Sequence, residues 1–449
     1  VTDIQQTTTP TPASGFGRWS EGWLAGCLIL AAFTSCFAIS ATQILLGLSL
    51  AAWLARLVWL ATLRRKLGAA GTRPPFLEVP TGLEGPLLAL LIWAVAMVPL
   101  SGDRGQSLLF LRRFYLFSAV FLGAVTTAGG YRRQGMLLTA LLVGAAGTGV
   151  YGLVQFGRLG GAFVDPWDGF LKDRVELLQG YMTAGGLMMM TALVALAFLL
   201  LVRSIRWRAL LLAALLPMLA TLLLTLTRSA WLGFAAGALV IFLLARPKLV
   251  PILLAGGLAV TLLVPGLFQE RLVSAFDPDH IQNSQRLTMW RLGARMFGDH
   301  PWVGVGDRDL NELYWAYREA EVGGAVSREA YPTGPILVVG HLHNNLIQLA
   351  VIWGAPGLIL ALLLLVAIPV RLWRLWCRLR PPDRVDGAAE DLARGWILAG
   401  LGTWTGFMVA GLFEWYFGDA DVSLLMWLIT GAALGAGFRA TMSVPVQSE

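Results

Sequence analysis

Histidine is scarce in this chain, four residues in 449, and His280, His300, His341 and His343 all fall in one polar stretch. The last two close that stretch, in His341, Leu342, His343, Asn344 and Asn345, directly before an apolar run from Leu346 to Val370. A helix that begins near Asn344 puts His343 at its N-terminal end, where the positive end of the helix dipole disfavours imidazolium and favours a neutral base. A neutral imidazole there can take a proton from a hydroxyl, a contribution of about 10²–10⁴-fold in rate. The position equally suits a histidine that only caps the helix or bridges to water. On an extended segment His341 and His343 also face one way and, with a carboxylate such as Asp419, offer a metal site. That set lacks an obvious third ligand, so no metal is expected.

Arginine supplies the second chemistry. Arg228 interrupts a run of Leu and Thr that ends at Thr227 and resumes as Ser229, Ala230, Trp231 and Leu232. Inside the apolar layer an arginine costs about 2.5–3.5 kcal/mol on insertion scales, so it needs a partner or water. Snorkelling at a helix end meets that need, and so does a phosphate, which guanidinium grips with two parallel hydrogen bonds. Arg286, before Leu287, Thr288, Met289 and Trp290, offers a second fork or one solvated charge among several. Arg174 is a third, equally able to pair with Asp173 or Glu176. Two such arginines suffice to hold a diphosphate leaving group without a divalent ion, because they place fixed positive charge where negative charge develops. There is no Walker-type glycine loop, so the donor is expected to arrive already activated, and no cofactor is expected.

The elements that position these residues follow from composition. With 57% hydrophobic and 14% charged residues, the chain lies outside the soluble range. Its apolar stretches are long enough to cross a bilayer as helices and none alternates like a barrel strand, so the fold class is all-α and polytopic. About twelve spans are expected, at residues 23–40, 44–60, 87–100, 114–127, 136–155, 180–202, 209–225, 230–244, 249–264, 346–370, 396–413 and 422–438. Pro86, Pro99, Arg112 and Arg113 shorten the third and fourth. Basic residues recur in alternate loops, among them Arg64, Arg65, Lys66, Arg132, Arg133, Arg203, Arg246, Arg371 and Arg374, which assigns those loops and both termini to the cytoplasm. That bias accounts for the formal charge of +7, so nucleic-acid binding is not inferred. The three cysteines, Cys27, Cys36 and Cys377, suggest neither a disulfide framework nor a metal site.

The expected organisation is a cytoplasmic tail (1–22), nine transmembrane helices (23–265), one large periplasmic loop between spans nine and ten (266–343), three more transmembrane helices (344–438) and a short cytoplasmic tail (439–449). The lead segment has no basic n-region or cleavage site, so the first span is expected to be retained. A connection as long as the outer loop implies function. Within it, Gln285 to Phe297 reads as an amphipathic helix, Asp299 to Gly306 as a tight turn, and Asp309 to Glu321 as a second helix. Gly354, Ala355, Pro356 and Gly357 interrupt span ten, where Pro356 bends the helix and small residues allow close packing.

These motifs resemble those of the O-antigen ligase and polymerase superfamily. His343 and Asn344 followed by Gly354 and Gly357 resemble its signature. Thr227, Arg228, Ser229, Ala230 and Trp231 resemble its arginine turn, and His300, Pro301, Val303, Gly304, Val305 and Gly306 its loop motif. The resemblance implies an inverting, metal-independent glycosyltransferase of the bacterial inner membrane that uses an undecaprenyl-diphosphate-linked glycan on the periplasmic side. It implies His343 as the essential histidine and Arg228 and Arg286 as diphosphate ligands, with Arg174 a weaker match and His341, Asn344 and Asp419 accessory. A ligase, transferring the glycan to a lipid A-core sugar, is favoured over a polymerase. The short tail after the last span disfavours protein-targeting oligosaccharyltransferases. A transporter is disfavoured because the polar groups gather at one membrane face.

Overall fold

The computed structural model describes residues 15–67, 79–158, 175–263, 273–274, 277–325, 340–379 and 388–442, and among these there are helices and turns but no strand. In chain order the helices are α1 (Gly15–Thr34), α2 (Ile39–Leu67), α3 (Glu84–Met97), α4 (Arg104–Phe110), α5 (Ser118–Ala128), α6 (Tyr131–Arg158), α7 (Tyr181–Leu201) and α8 (Ile205–Leu224). They continue with α9 (Arg228–Ala245), α10 (Val250–Leu263), α11 (Ile281–Asp299), α12 (Asn311–Val322), α13 (Asn345–Arg378), α14 (Ala388–Ala410) and α15 (Ala420–Met442). Among the described residues, eight helical stretches are long and apolar enough to cross a membrane, and Glu84–Leu100 and Pro247–Ala259 are shorter apolar helices. The chain is an all-α, multi-pass membrane protein.

Two spans form the centre. The most apolar windows of α7 and α15 are 83% and 89% buried, so other helices and not lipid surround them. α15 packs on α5 through Gly431 and Gly435, where an added Cβ would lie 2.1 Å from the carbonyls of Val120 and Ala124. That four-residue spacing of glycines lets the two backbones touch. The stretch expected as span four is broken: Leu111–Phe117 is a 3₁₀ segment between α4 and α5, and within it Arg113 turns to pair with Asp307, between α11 and α12, at 3.2 Å.

Between α10 and α13, the helices α11 and α12 form where the amphipathic patterns predict them. The turn between them repairs α13. Gly354 breaks that helix at φ 65°, ψ −173°, and Pro356 has no N–H to give. The carbonyls of Val351 and Ile352 therefore lose their helical donors, Ala355 and Pro356. The N–H groups of Val305 and Gly306 replace them at 2.8 and 3.1 Å, Ala355 N donates to Pro301 O at 2.7 Å, and Trp93 Nε1 donates to Trp353 O at 3.0 Å. Every backbone group freed at Val351, Ile352, Trp353 and Ala355 thus finds a partner, as a buried break requires. Gly304 approaches so closely that a Cβ would lie 2.6 Å from the Ile352 carbonyl.

Candidate active site

The break fixes the upper part of α13, and Asn344 fixes its start. The Asn344 side chain accepts from Leu346 N and Ile347 N at 2.9 and 3.0 Å, an N-cap, while its amide donates to Leu412 O at 2.8 Å. Asn345 N donates to Gly411 O at 2.7 Å, and Leu342 N donates to Gln348 Oε1 at 2.9 Å. Held from both sides, His343 adopts φ 47°, a left-handed conformation that costs a non-glycine residue about 1–3 kcal/mol.

That turn aims the imidazole into the segment between α14 and α15. Glu414 stands there, with Oε1 and Oε2 each 3.0 Å from His343 Nδ1. The two side chains are 5% and 7% exposed. With Nδ1–H donated to the carboxylate, Nε2 is the ring nitrogen left over, and it is buried without a hydrogen-bond partner among the described residues. Glu414 Oε1 also accepts from Trp415 N at 2.9 Å. Burial alone would raise the Glu414 carboxyl, but the charge and hydrogen bond of His343, with smaller contributions from His341 and Arg286, hold it down at about 2. It is a carboxylate at any physiological pH.

His341 lies beside this pair, its ring centroid 4.2 Å from that of His343, and its Nδ1 accepts from His343 N at 3.4 Å. Burial, and then the charge of His343, push it down to about 4, so it is an uncharged neighbour at neutral pH. His341, His343 and Glu414 each offer one ligand atom within 4.8 Å of the others. The carboxylate that completes such a set is therefore Glu414 and not Asp419. Asp419 caps α15 instead, accepting from Asp421 N and Val422 N at 3.0 and 3.2 Å and from Thr183 Oγ1 at 2.5 Å.

The arginines reach the same place through α11. Arg228 begins α9, after Leu226 at φ 52° and Thr227, whose hydroxyl donates to Tyr181 O at 3.1 Å. Its guanidinium donates to Ser274 Oγ at 3.2 Å, Asn283 Oδ1 at 2.9 Å and Gln282 Oε1 at 3.4 Å, all neutral acceptors. One turn on, Arg286 has a buried Nε with no hydrogen-bond partner among the described residues, and its charge acts on both Arg228 and Glu414. A further turn on, Trp290 Nε1 donates to Leu342 O at 3.1 Å. Positions 282, 286 and 290 thus form one stripe, about 12 Å long at 1.5 Å per residue, from Arg228 to the His343 turn. On the far side, the Tyr416 hydroxyl lies beside Ser229.

His341, His343, Arg228 and Arg286 are thereby brought together at one end of the bundle. Asn344 and Asp419 are committed to helix caps, and Arg174 lies outside the described residues. Glu414 was not singled out from sequence. Its one signal is an acid set among the aromatics Phe413, Trp415, Tyr416 and Phe417, in the short connection between α14 and α15.

A buried imidazole–carboxylate pair thus stands near two arginines in a multi-pass helical membrane protein. Residues 213–362 match the family model described as O-antigen ligase, which bears out the resemblance to the O-antigen ligase and polymerase superfamily, enzymes of lipid-linked glycans. The matched stretch contains Arg228, Arg286, His341, His343 and the break in α13, and Glu414 lies beyond it. No individual curated protein matches the chain.

Proposed function

We propose that the protein is an O-antigen ligase of the inner membrane with its site facing the periplasm. The donor is an undecaprenyl-diphosphate-linked glycan and the acceptor a sugar of the lipid A-core. The observation that carries this reading is the His343 Nδ1–Glu414 hydrogen bond, which leaves Nε2 available at the end of the arginine stripe.

Arg228 and Arg286 hold the diphosphate, with Arg174 a further candidate, and their charge stabilises the leaving group as it departs. His343 Nε2 takes the proton of the acceptor hydroxyl while Glu414 holds the ring and stabilises the imidazolium that forms. The hydroxyl oxygen bonds to the anomeric carbon as the carbon–oxygen bond to the diphosphate breaks on the opposite side. Inversion follows, undecaprenyl diphosphate leaves as the anion, and the proton passes from His343 to water. Neither the charge stabilisation nor the proton transfer requires a metal.

Reconstitution of the purified protein with a defined lipid-diphosphate glycan and lipid A-core, followed by linkage analysis, tests the proposal. A single inverted linkage to a core sugar, formed equally in excess chelator, is the expected product. Extension of the lipid-linked glycan without transfer to the core would make the enzyme a polymerase.

A further inference from the structure

A second compartment lies on the other flank of the His343–Glu414 pair. It is a narrow, partly open cavity between α3, the 3₁₀ segment, α13 and α15. Its wall is aliphatic and aromatic apart from Arg113, Asp307 and Ser423, and Arg113 and Asp307 already bond one another at 3.2 and 3.4 Å. So few unspent polar groups cannot replace the hydration of a sugar, whose hydroxyls each need a partner on burial. The cavity follows α13 from Leu349 to Leu365, roughly 24 Å at about 1.5 Å per residue.

The segment between α14 and α15 divides this compartment from the arginines by alternation. Glu414 faces His343 and Tyr416 faces Ser229, next to Arg228, whereas Trp415 and Phe417 line the cavity. The helices sort the same way, because α9 packs on α14 and α7, while the cavity belongs to α3, α13 and α15. At the outer end of the cavity the Arg113 guanidinium is close enough to act on His341. A chain seated here would place its head group beside the imidazole pair, on the side away from Arg228.

We propose that this cavity seats a hydrocarbon chain of the acceptor lipid, so that donor and acceptor approach His343 from opposite sides of the 414–417 segment. The assignment to the acceptor rests on the ligase reading. The test is photolabelling of the native protein in nanodiscs by lipid A-core carrying a diazirine in an acyl chain. Crosslinks are expected between residues 349 and 365, competed by unlabelled lipid A-core and not by the lipid-diphosphate glycan. Crosslinks elsewhere, or competition by the donor, overturn the proposal. Labelling needs no turnover, so a protein that labels as expected yet transfers nothing refutes the ligase reading alone.

A substitution gives an independent readout. Ala361→Phe fills the deep end of the cavity, away from the imidazole pair. It should raise KM for acylated lipid A-core at least tenfold while leaving donor KM, and turnover of the deacylated core oligosaccharide, within twofold of native. A rise in donor KM, or no change in a variant with native melting temperature, contradicts the proposal.

Discussion

His343 Nδ1 and the Glu414 carboxylate meet at 3.0 Å across 71 residues of sequence, one held before α13 and the other between α14 and α15. Neither stretch makes the pair alone. The caps and cross-bonds at Asn344, Asn345 and Leu342 bring them together, and the carboxylate then fixes which ring nitrogen a substrate meets.

Glu414→Gln keeps size and removes the charge that orients and stabilises the imidazole. Transfer should fall about 10²-fold or more in kcat, the range of lost acid–base assistance. Donor KM should change little, since the proposed diphosphate ligands Arg228 and Arg286 are untouched. Steady-state kinetics with the donor varied separates the two constants.

The same carboxylate makes a signed prediction for acid stability. Its folded pKa of about 2 lies below the ordinary 4.5, so the unfolded chain binds more protons between those values. The stability it contributes is present above about pH 4.5 and lost as pH falls toward 2. Thermal unfolding should show native protein exceeding Glu414→Gln at pH 5, with the margin shrinking below pH 4.5.

Arg228 donates to three neutral acceptors on the stretch that includes the first turn of α11, a geometry that an ammonium cannot copy. Arg228→Lys keeps the charge and loses the fork. Loss of one charge-assisted hydrogen bond, about 1.5–3 kcal/mol, corresponds to a rise of roughly ten- to hundredfold in donor KM. Titration of the donor at saturating acceptor reads it directly.

Gly304 is needed both for its φ of 67° and for its approach to the Ile352 carbonyl. Gly304→Ala should lower stability by about 1–3 kcal/mol by straining the turn that repairs α13. Gly298→Ala, on an exposed helical position with nothing within 4 Å, should be neutral or slightly stabilising. Melting temperatures of the two variants in one detergent provide the comparison.

The legible parts of the sequence were those set by local pattern. Periodicity gave α11 and α12, Asn344 marked the start of α13, and Gly354 and Pro356 marked its break. What sequence withheld depends on contacts across the chain. Nothing near Glu414 announces His343, and nothing in Pro301 to Gly306 announces that its N–H groups replace helical donors in α13. Asp419 looked like a third ligand because it is an acid between two expected spans. In the fold its oxygens are spent on Asp421, Val422 and Thr183.

A double-mutant cycle on kcat, with His343→Ala, Glu414→Ala and both together, tests the imidazole–carboxylate pair most directly. If the two act as one base, the double variant should be no slower than His343→Ala alone, with both singles at least about 10²-fold below native. Full transfer by His343→Ala, or losses that multiply in the double variant, would contradict the account.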